Sequence, residues 1–282
     1  MSETPVPLAL VVGWPISQSR SPIIHGHWLK RLGIPGGYER RPVEPAAFPA
    51  FAASIGTGGL VGANVTIPHK VAAFACCDVT TDVAKALGAV NTLWRAEGGL
   101  HGDNTDVAGF LANLDEGAPG WAPANGRALV LGAGGAARAV VYGLLARGFT
   151  RVDVANRTLA NSEHLARQFG SRVHALGGAP DATTVGAADL IVNTTSLGMK
   201  GQPDLAFDLG AAKPTAVVTD LVYIPLETAL IQAAKARGLR AVGGLGMLLH
   251  QAVFGFERWF GRRPEVDAEL RALVEADVLR AQ

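Results

Sequence analysis

Only two cysteines occur in the 282 residues, and they are neighbours, Cys76 and Cys77. Adjacent thiols cannot staple distant segments and lack zinc-ligand spacing, so neither a disulfide framework nor a metal site is expected, and a reducing cytoplasm fits. Net charge is nearly absent as well. The 25 Lys and Arg against 24 Asp and Glu leave +1, which provides no electrostatic case for nucleic acid or an anionic membrane and favours small partners. Long apolar runs are also missing. The longest charge-free stretch, Pro45 to His69, is broken by Pro, Gly, Asn and Thr and is no membrane span. The apolar run Val6 to Val12 has no basic residue ahead of it and ends at Gly13-Trp14-Pro15, which suits a first strand better than a signal peptide.

What is present is a chain long enough for two domains, 49% hydrophobic and 17% charged, the balance of a compact protein. Leu8 to Gly13 reads as a buried strand. Ser21-Pro22 then supplies an N-cap and a proline at the first helical position for a helix to about Leu32. Tyr38 to Val43 and Leu60 to Val65 read as strands, with Pro45 and Pro68 opening the helices that follow them. A parallel α/β unit of about a hundred residues is implied. It continues through a helix near Asp82 to Leu87, a strand from Val90 to Trp94, a hairpin turn at Glu97-Gly98-Gly99 and a helix from Asp106 to Leu114.

Beyond a Pro/Gly-containing connection at Pro119 to Asn125, the run Leu129 to Val140 is strand, glycine-rich turn and alanine-rich helix. Gly132 allows the tight turn, Gly134 lets the backbone approach a pyrophosphate, and Ala137 stands where helix packs on strand. Counting the strand at Ala128 to Leu131, six strands follow one another with helical segments between. The others are Val152 to Ala155, Val173 to Ala175, Leu190 to Asn193, Ala216 to Leu221 and Ala241 to Gly243. That is the pattern of two mononucleotide-binding halves. The second strand ends in Asn156-Arg157-Thr158, without the acid that would accept from a ribose 2′-hydroxyl. A planar guanidinium suits a 2′-phosphate, so Arg157 points to NADP, with Asn156 and Thr158 adding hydrogen bonds. Asp153, in mid-strand, is poorly placed to replace the missing acid. The closing helices, near Gly244 to Phe260 and Val266 to Leu279, are expected to pack back on the first domain.

The first part contains no such glycine turn. Its polar residues sit at strand ends and helix starts, where open α/β sheets bind ligands: Ser19 and Ser21, Asn64, Thr66 and Lys70, Asn91, and Asn104-Thr105-Asp106. Each has a bland alternative, a cap or a solvated lysine. Several unrelated turns would then carry polar residues that no ligand justifies.

Several stretches together resemble the shikimate dehydrogenase family across nearly the whole chain. They are Gly13-Trp14-Pro15-Ile16-Ser17-Gln18-Ser19-Arg20-Ser21-Pro22, Asn64-Val65-Thr66-Ile67-Pro68-His69-Lys70, Ala89-Val90-Asn91-Thr92, Gly102-Asp103-Asn104-Thr105-Asp106 and Gly246-Met247-Leu248-Leu249-His250-Gln251, joined by the glycine turn and Asn156-Arg157-Thr158. The resemblance implies an α/β fold: a three-layer substrate domain over residues 1–115, completed by the helices of 246–282, and a Rossmann-type NADP-binding domain over 116–245. It implies reversible NADP-dependent reduction of 3-dehydroshikimate to shikimate, on the route to chorismate and aromatic amino acids. Lys70 and Asp106 are implied as the catalytic pair. Ser19 and Ser21 would hold the substrate carboxylate, with Thr66, Asn91, Asp106, Tyr223 and Gln251 around its ring and hydroxyls. Cofactor contacts are implied for Asp82, Gly132, Ala133, Gly134, Gly135, Ala136, Asn156, Arg157, Thr158, Thr194, Leu221 and Gly244, and a homodimer is a possible assembly.

Two residues depart from the family pattern: Gln18 stands where a histidine is usual, and Asn161 where NADP users often carry a second cation. The alternatives are a quinate/shikimate or aminoshikimate-type dehydrogenase and, in a different class, a non-catalytic NADP-binding sensor. Methylenetetrahydrofolate dehydrogenase shares the two-domain plan but leaves the Ser-x-Ser turn unexplained. Hydride delivery to a ketone builds negative charge on oxygen, and Lys70 can supply the proton there while Asp106 orients lysine and substrate.

Overall fold

A computed structural model describes residues 5–281. They form two compact units. One comprises the residues up to Asp106 together with Gln251–Val274; the other comprises Val107–His250 together with the residues from Glu275 on.

The first unit is built on β1 (Leu8–Gly13), an apolar strand buried along almost its whole length. It is followed by α1 (Ser21–Leu32), β2 (Gly37–Pro42), a 3-10 turn at Pro45–Ala47, α2 (Phe48–Ser54) and β3 (Leu60–Val65). Next come α3 (Lys70–Cys76), β4 (Val79–Thr80), α4 (Asp82–Leu87), β5 (Thr92–Ala96) and β6 (Gly99–Asp103). The sheet order is β2-β1-β3-β5-β6-β4.

Three local expectations are corrected. The sheet is mixed, because β5 runs antiparallel to both β3 and β6. For β5 and β6 the reason is the turn itself: Glu97 and Gly98, the latter at φ 88°, form a two-residue loop between the paired Ala96 and Gly99, which can join only antiparallel strands. Ser21 does not cap α1. Arg20 holds the N-cap position with no side-chain cap, and Ser21 is the first, buried helical residue. Finally, α3 begins at Lys70 instead of Pro68, with His69 at its N-cap.

The segment Gln251–Val274 belongs to the first unit. The Trp259 indole N–H donates to the Leu93 carbonyl at 3.0 Å and that of Trp28 to the Glu265 carbonyl at 2.9 Å. Between these indoles lies His25, fully buried, its ring stacked on Tyr38 at 3.9 Å and 4° and met edge-on by Trp28, with Phe256 stacked at 5.9 Å.

The second unit begins in α5 (Asp106–Gly117) and continues β7 (Arg127–Leu131), α6 (Gly135–Ala146), β8 (Arg151–Asn156), α7 (Leu159–Phe169), β9 (Val173–Gly177) and α8 (Ala182–Ala187). It then runs β10 (Leu190–Asn193), β11 (Val217–Asp220), α9 (Ala229–Ala236) and β12 (Arg240–Val242); α10 (Leu245–Phe260) passes into the first unit at Gln251, and α11 (Ala268–Ala281) returns to the second at Glu275. Every strand pair is parallel, in the order β12-β11-β10-β7-β8-β9. This doubly wound order has its switch point between β7 and β10.

Alternate residues of β7 feed the two faces. Ala128 and Val130 pack with Phe110, Leu114, Val140 and Leu144, while Leu129 and Leu131 pack with Val185, Leu230 and Ala234. The core role of Phe110 and Leu114 places α5 in this unit from Val107 on.

Burial pushes the His25 pKa from 6.5 down to about 3, against a weaker opposing pull from Asn64. Folded His25 therefore stays neutral while the unfolded chain takes up a proton, and stability is lost as pH falls from 6.5 toward 3. The expected slope from this residue is about 1.4 kcal/mol per pH unit. Urea unfolding of wild type and His25→Phe between pH 7 and pH 4 checks it: the variant should lose stability less steeply, by about one proton's worth.

Candidate active site

Two groups of side chains gather at strand ends, one in each unit. In the first unit the centre is the Asp106 carboxylate. Lys70, the first residue of α3, brings its Nζ to 2.5 Å from Asp106 Oδ2. The Asn91 amide donates to Oδ1 at 2.8 Å. Lys70 and Asp106 side chains remain 29% and 16% exposed, open enough to be reached by a small molecule.

The chain is bound tightly around this pair. The Val90 N–H donates to the Lys70 carbonyl at 2.9 Å, and the Asp106 N–H donates to Asn104 Oδ1 at 3.2 Å. Asn91 Oδ1 accepts from the Thr105 N–H and the Thr92 hydroxyl, each at 2.9 Å. Thr66, at the end of β3, donates its N–H to Val12 and accepts from the His69 N–H, which sets the turn that presents Lys70. The Thr105 hydroxyl reaches Gln251 Oε1 at 3.5 Å, and so ties the first residue of the C-terminal segment to the same cluster.

Ser19 and Ser21 face one another at 3.2 Å after β1. The Ser19 oxygen also accepts from the Ser21 N–H at 3.3 Å. Because Ser21 does not cap its helix, its hydroxyl is not committed to the backbone in the way the cap reading supposed. Gln18 is exposed, and its carbonyl accepts from Arg20, Nη1 at 2.5 Å.

In the second unit the glycine turn joins β7 to α6. Gly132 has φ 100°, and a Cβ there would lie 2.8 Å from both Thr194 Oγ1 and Thr195 Cγ2. Thr194 in turn donates both its N–H and its hydroxyl to the Leu131 carbonyl at 2.8 Å, locking the ends of β7 and β10 together. Gly134 is the N-cap of α6 and offers no side chain to it. A Cβ at Gly134 or Gly135 would meet nothing within 4 Å. A helix N-terminus with an open approach and no internal cap fits a pyrophosphate, with Ala133 and Ala136 completing the turn. Ala137 is fully buried against the sheet, as its place in the turn implied.

At the end of β8 the Asn156 amide donates to the Thr158 carbonyl at 2.8 Å, Arg157 is exposed, and Thr158 occupies the N-cap of α7 without a side-chain cap bond. Asp153 is buried and spent on Arg151 at 2.8 Å, which disposes of it as a ribose acceptor. Asn161 lies in the first turn of α7, its N–H donating to the Thr158 carbonyl at 3.1 Å.

Leu221 follows β11, its N–H on the Asn193 carbonyl at 3.0 Å. A Cβ at Gly244 would lie 2.3 Å from the Leu221 carbonyl, so only glycine permits this approach. Fully buried Asp220 underlies the region, accepting from Asn193 and Thr228 side chains and the Val222 N–H, one residue before Tyr223. Burial raises the Asp220 pKa and these bonds oppose the rise.

Tyr223, Thr194, Leu221 and Gly244 thus belong to the second unit, whereas Asp82 belongs to the first, at the start of α4 with an exposed side chain 3.5 Å from Lys85. Tyr38 and Thr92 were missed as site residues, and Asn64 and Thr105 were noticed only as polar residues at a strand end and a helix start. The available signal was polarity inside strands: a buried Asn or Thr in an apolar strand has an obligatory partner. Among the described residues no helix is long and apolar enough to cross a membrane.

Residues 11–93 match the family described as shikimate dehydrogenase substrate binding domain, residues 122–198 shikimate / quinate 5-dehydrogenase, and residues 244–273 the shikimate 5'-dehydrogenase C-terminal domain. A shikimate dehydrogenase (NADP(+)) of Brucella melitensis is 56% identical over 97% of this chain and 95% of its own length. The shikimate 5-dehydrogenase of Thermus thermophilus, solved with NADP(H) and shikimate, superposes with a TM-score of 0.82 at 36% identity, covering 98% of this chain and 100% of that one. A quinate dehydrogenase of Corynebacterium glutamicum, solved with NAD, superposes with a TM-score of 0.86 at 31% identity, covering 97% and 100%.

The two glycines of the turn have different duties, and stability separates them. Gly132→Ala combines an unfavourable φ with a clash and should destabilise by about 2–3 kcal/mol. Gly134→Ala, with open space around its Cβ, should stay within about 1 kcal/mol of wild type. Equilibrium urea unfolding of both variants distinguishes the two effects.

Proposed function

The chain belongs to the shikimate dehydrogenase family, and from that premise we propose that it catalyses the reversible NADP-dependent reduction of 3-dehydroshikimate to shikimate. The observation that carries the reading is the Lys70–Asp106 pair, 2.5 Å apart, reachable, and held from behind by Asn91. Such a pair is a proton donor with a fixed counter-charge, which ketone reduction needs at the developing alkoxide.

In this reading most of the substrate contacts come from the first unit and most of the cofactor contacts from the second. Ser19 and Ser21 donate to the substrate carboxylate. Thr66, Asn91, Asp106, Tyr223 and Gln251 take the ring and its hydroxyls. The open turn Gly132-Ala133-Gly134-Gly135-Ala136 receives the pyrophosphate, Asn156, Arg157 and Thr158 the 2′-phosphate, and Thr194, Leu221, Gly244 and Asp82 the rest of the cofactor. Bound NADPH supplies the hydride. Lys70 gives its ammonium proton to the substrate oxygen as the C–H bond forms, and its neutral amine takes the proton back in the oxidation. Asp106 keeps the lysine aimed through the charge-assisted bond and accepts from a substrate hydroxyl. The family's biosynthetic role fits a cytoplasmic setting, and a homodimer is the assembly to test.

Lys70→Ala should lower kcat by at least about a hundredfold, the usual scale for loss of a positioned general acid, while sparing cofactor binding. Steady-state rates with shikimate, together with NADP titration, test this; near-normal turnover would refute the catalytic pair. Arg157→Ala should weaken NADP binding by about 1.5–3 kcal/mol, roughly 10- to 150-fold, and leave NAD unaffected. Because Asn161 supplies no second cation, Arg157 carries most of that preference. Initial rates with shikimate and with quinate, each with NADP and NAD, separate this reading from a quinate-preferring dehydrogenase. No activity with any pair would favour a sensor.

A further inference from the structure

Behind the Lys70–Asp106 pair runs a line of buried polar groups that the proposed chemistry does not consume. Its direction follows from one end. An ionised carboxylate only accepts, so Asn91 must present Nδ2 to Asp106 at 2.8 Å and turn Oδ1 inward, where it accepts from the Thr92 hydroxyl at 2.9 Å. Having given up its proton, Thr92 Oγ1 accepts from Asn64 Nδ2 at 3.2 Å, and the same nitrogen reaches the Asn91 carbonyl at 3.3 Å. Asn64 Oδ1 is thereby left as an acceptor, filled by the Tyr38 hydroxyl at 2.6 Å. Each amide orientation along the line is determined by its neighbour, and Thr105 joins it from the side, its Oγ1 3.2 Å from Asn91 Oδ1 and 3.4 Å from Thr92 Oγ1.

Tyr38, Asn64, Asn91 and Thr92 are all buried, so the line has to satisfy itself. The Tyr38 ring is clamped flat against His25. Burial drives its phenol pKa well above the usual value, against a smaller opposing effect of Ser21, so the hydroxyl remains a donor at any pH of interest.

We propose that Tyr38 is a positioning residue for the Lys70–Asp106 pair, setting the Asn64 amide and, through Thr92 and Asn91, the Asp106 carboxylate. Without the hydroxyl, Asn64 Oδ1 is a buried acceptor that has lost its 2.6 Å donor. A flipped Asn64 would face the Asn91 carbonyl with oxygen and compete with Asn91 for the Thr92 proton. Asn91 then holds Asp106 less firmly. The proposal rests on Lys70 and Asp106 being the catalytic pair.

The test uses two isosteric variants of the whole chain, Tyr38→Phe, which keeps the stack on His25, and Thr92→Val, which keeps the strand. Each should lower kcat for shikimate about 5- to 30-fold, the equivalent of one lost hydrogen bond in the transition state, with KM for NADP unchanged. Because both interrupt one line, the double variant should be no slower than the slower single one. Wild-type kcat in either variant, or losses that multiply in the double, would overturn the proposal, and either single variant suffices if the other does not fold. Lys70→Ala separates the two readings. If it retains turnover, the catalytic pair itself is wrong; if it is inactive while Tyr38→Phe is silent, only the positioning role fails.

Discussion

The Asp106 carboxylate is the constraint on which the rest of this molecule's proposed chemistry depends. It touches both the Lys70 ammonium and the Asn91 amide, and it does so from the first position of a helix, where a negative charge is also favoured by the helix dipole. Charge-assisted bonds of this kind are directional. One carboxylate therefore determines where the lysine points and which way an asparagine is turned. The hydrogen-bonded line behind it inherits its polarity from the same source. Replacing the carboxylate by a neutral amide would leave each of those orientations open, even if the backbone did not move.

The cofactor side rests on a different kind of constraint, the absence of side chains. Gly132 is needed because of its backbone angle and the closeness of Thr194, whereas Gly134 and Gly135 have room around them. Space that the fold leaves unfilled at a helix N-terminus suits a ligand phosphate. The same turn says nothing about which dinucleotide is taken. That choice passes to the end of β8, where Arg157 is exposed and the acid in the same strand, Asp153, is neutralised by Arg151. In the proposed reading, recognition of the common part of the cofactor is carried by backbone, and discrimination by a single guanidinium.

Much of this was legible in the linear chain for physical reasons that can be named. The β7 strand, its glycine turn and α6 form a local unit whose parts are adjacent in sequence, and all six strands of the second sheet appear within a few residues of their expected places. Corrections arose where local signals competed. Ser21 looks like a cap because serine before proline usually is one, yet Arg20 takes the cap position and Ser21 enters the helix. The parallel alternation of the first unit is interrupted by a tight glycine hairpin that forces β5 and β6 to run antiparallel. A pattern of strand and helix cannot report strand direction unless the connecting loop is read first.

By itself the sequence determined the two α/β patterns, the dinucleotide turn, the lack of an acid after β8 and the residue types of a proton-transfer site, because each is written in neighbouring residues. Only the tertiary structure decided that Lys70, Asn91 and Asp106 meet at one carboxylate, and that helix α5 belongs to the second unit from its second residue on. It alone also decided that Tyr38 reaches Asn64. Hydrogen bonds are satisfied across space, and a buried amide far along the chain from a phenol carries no mark in the sequence of which donor will complete it.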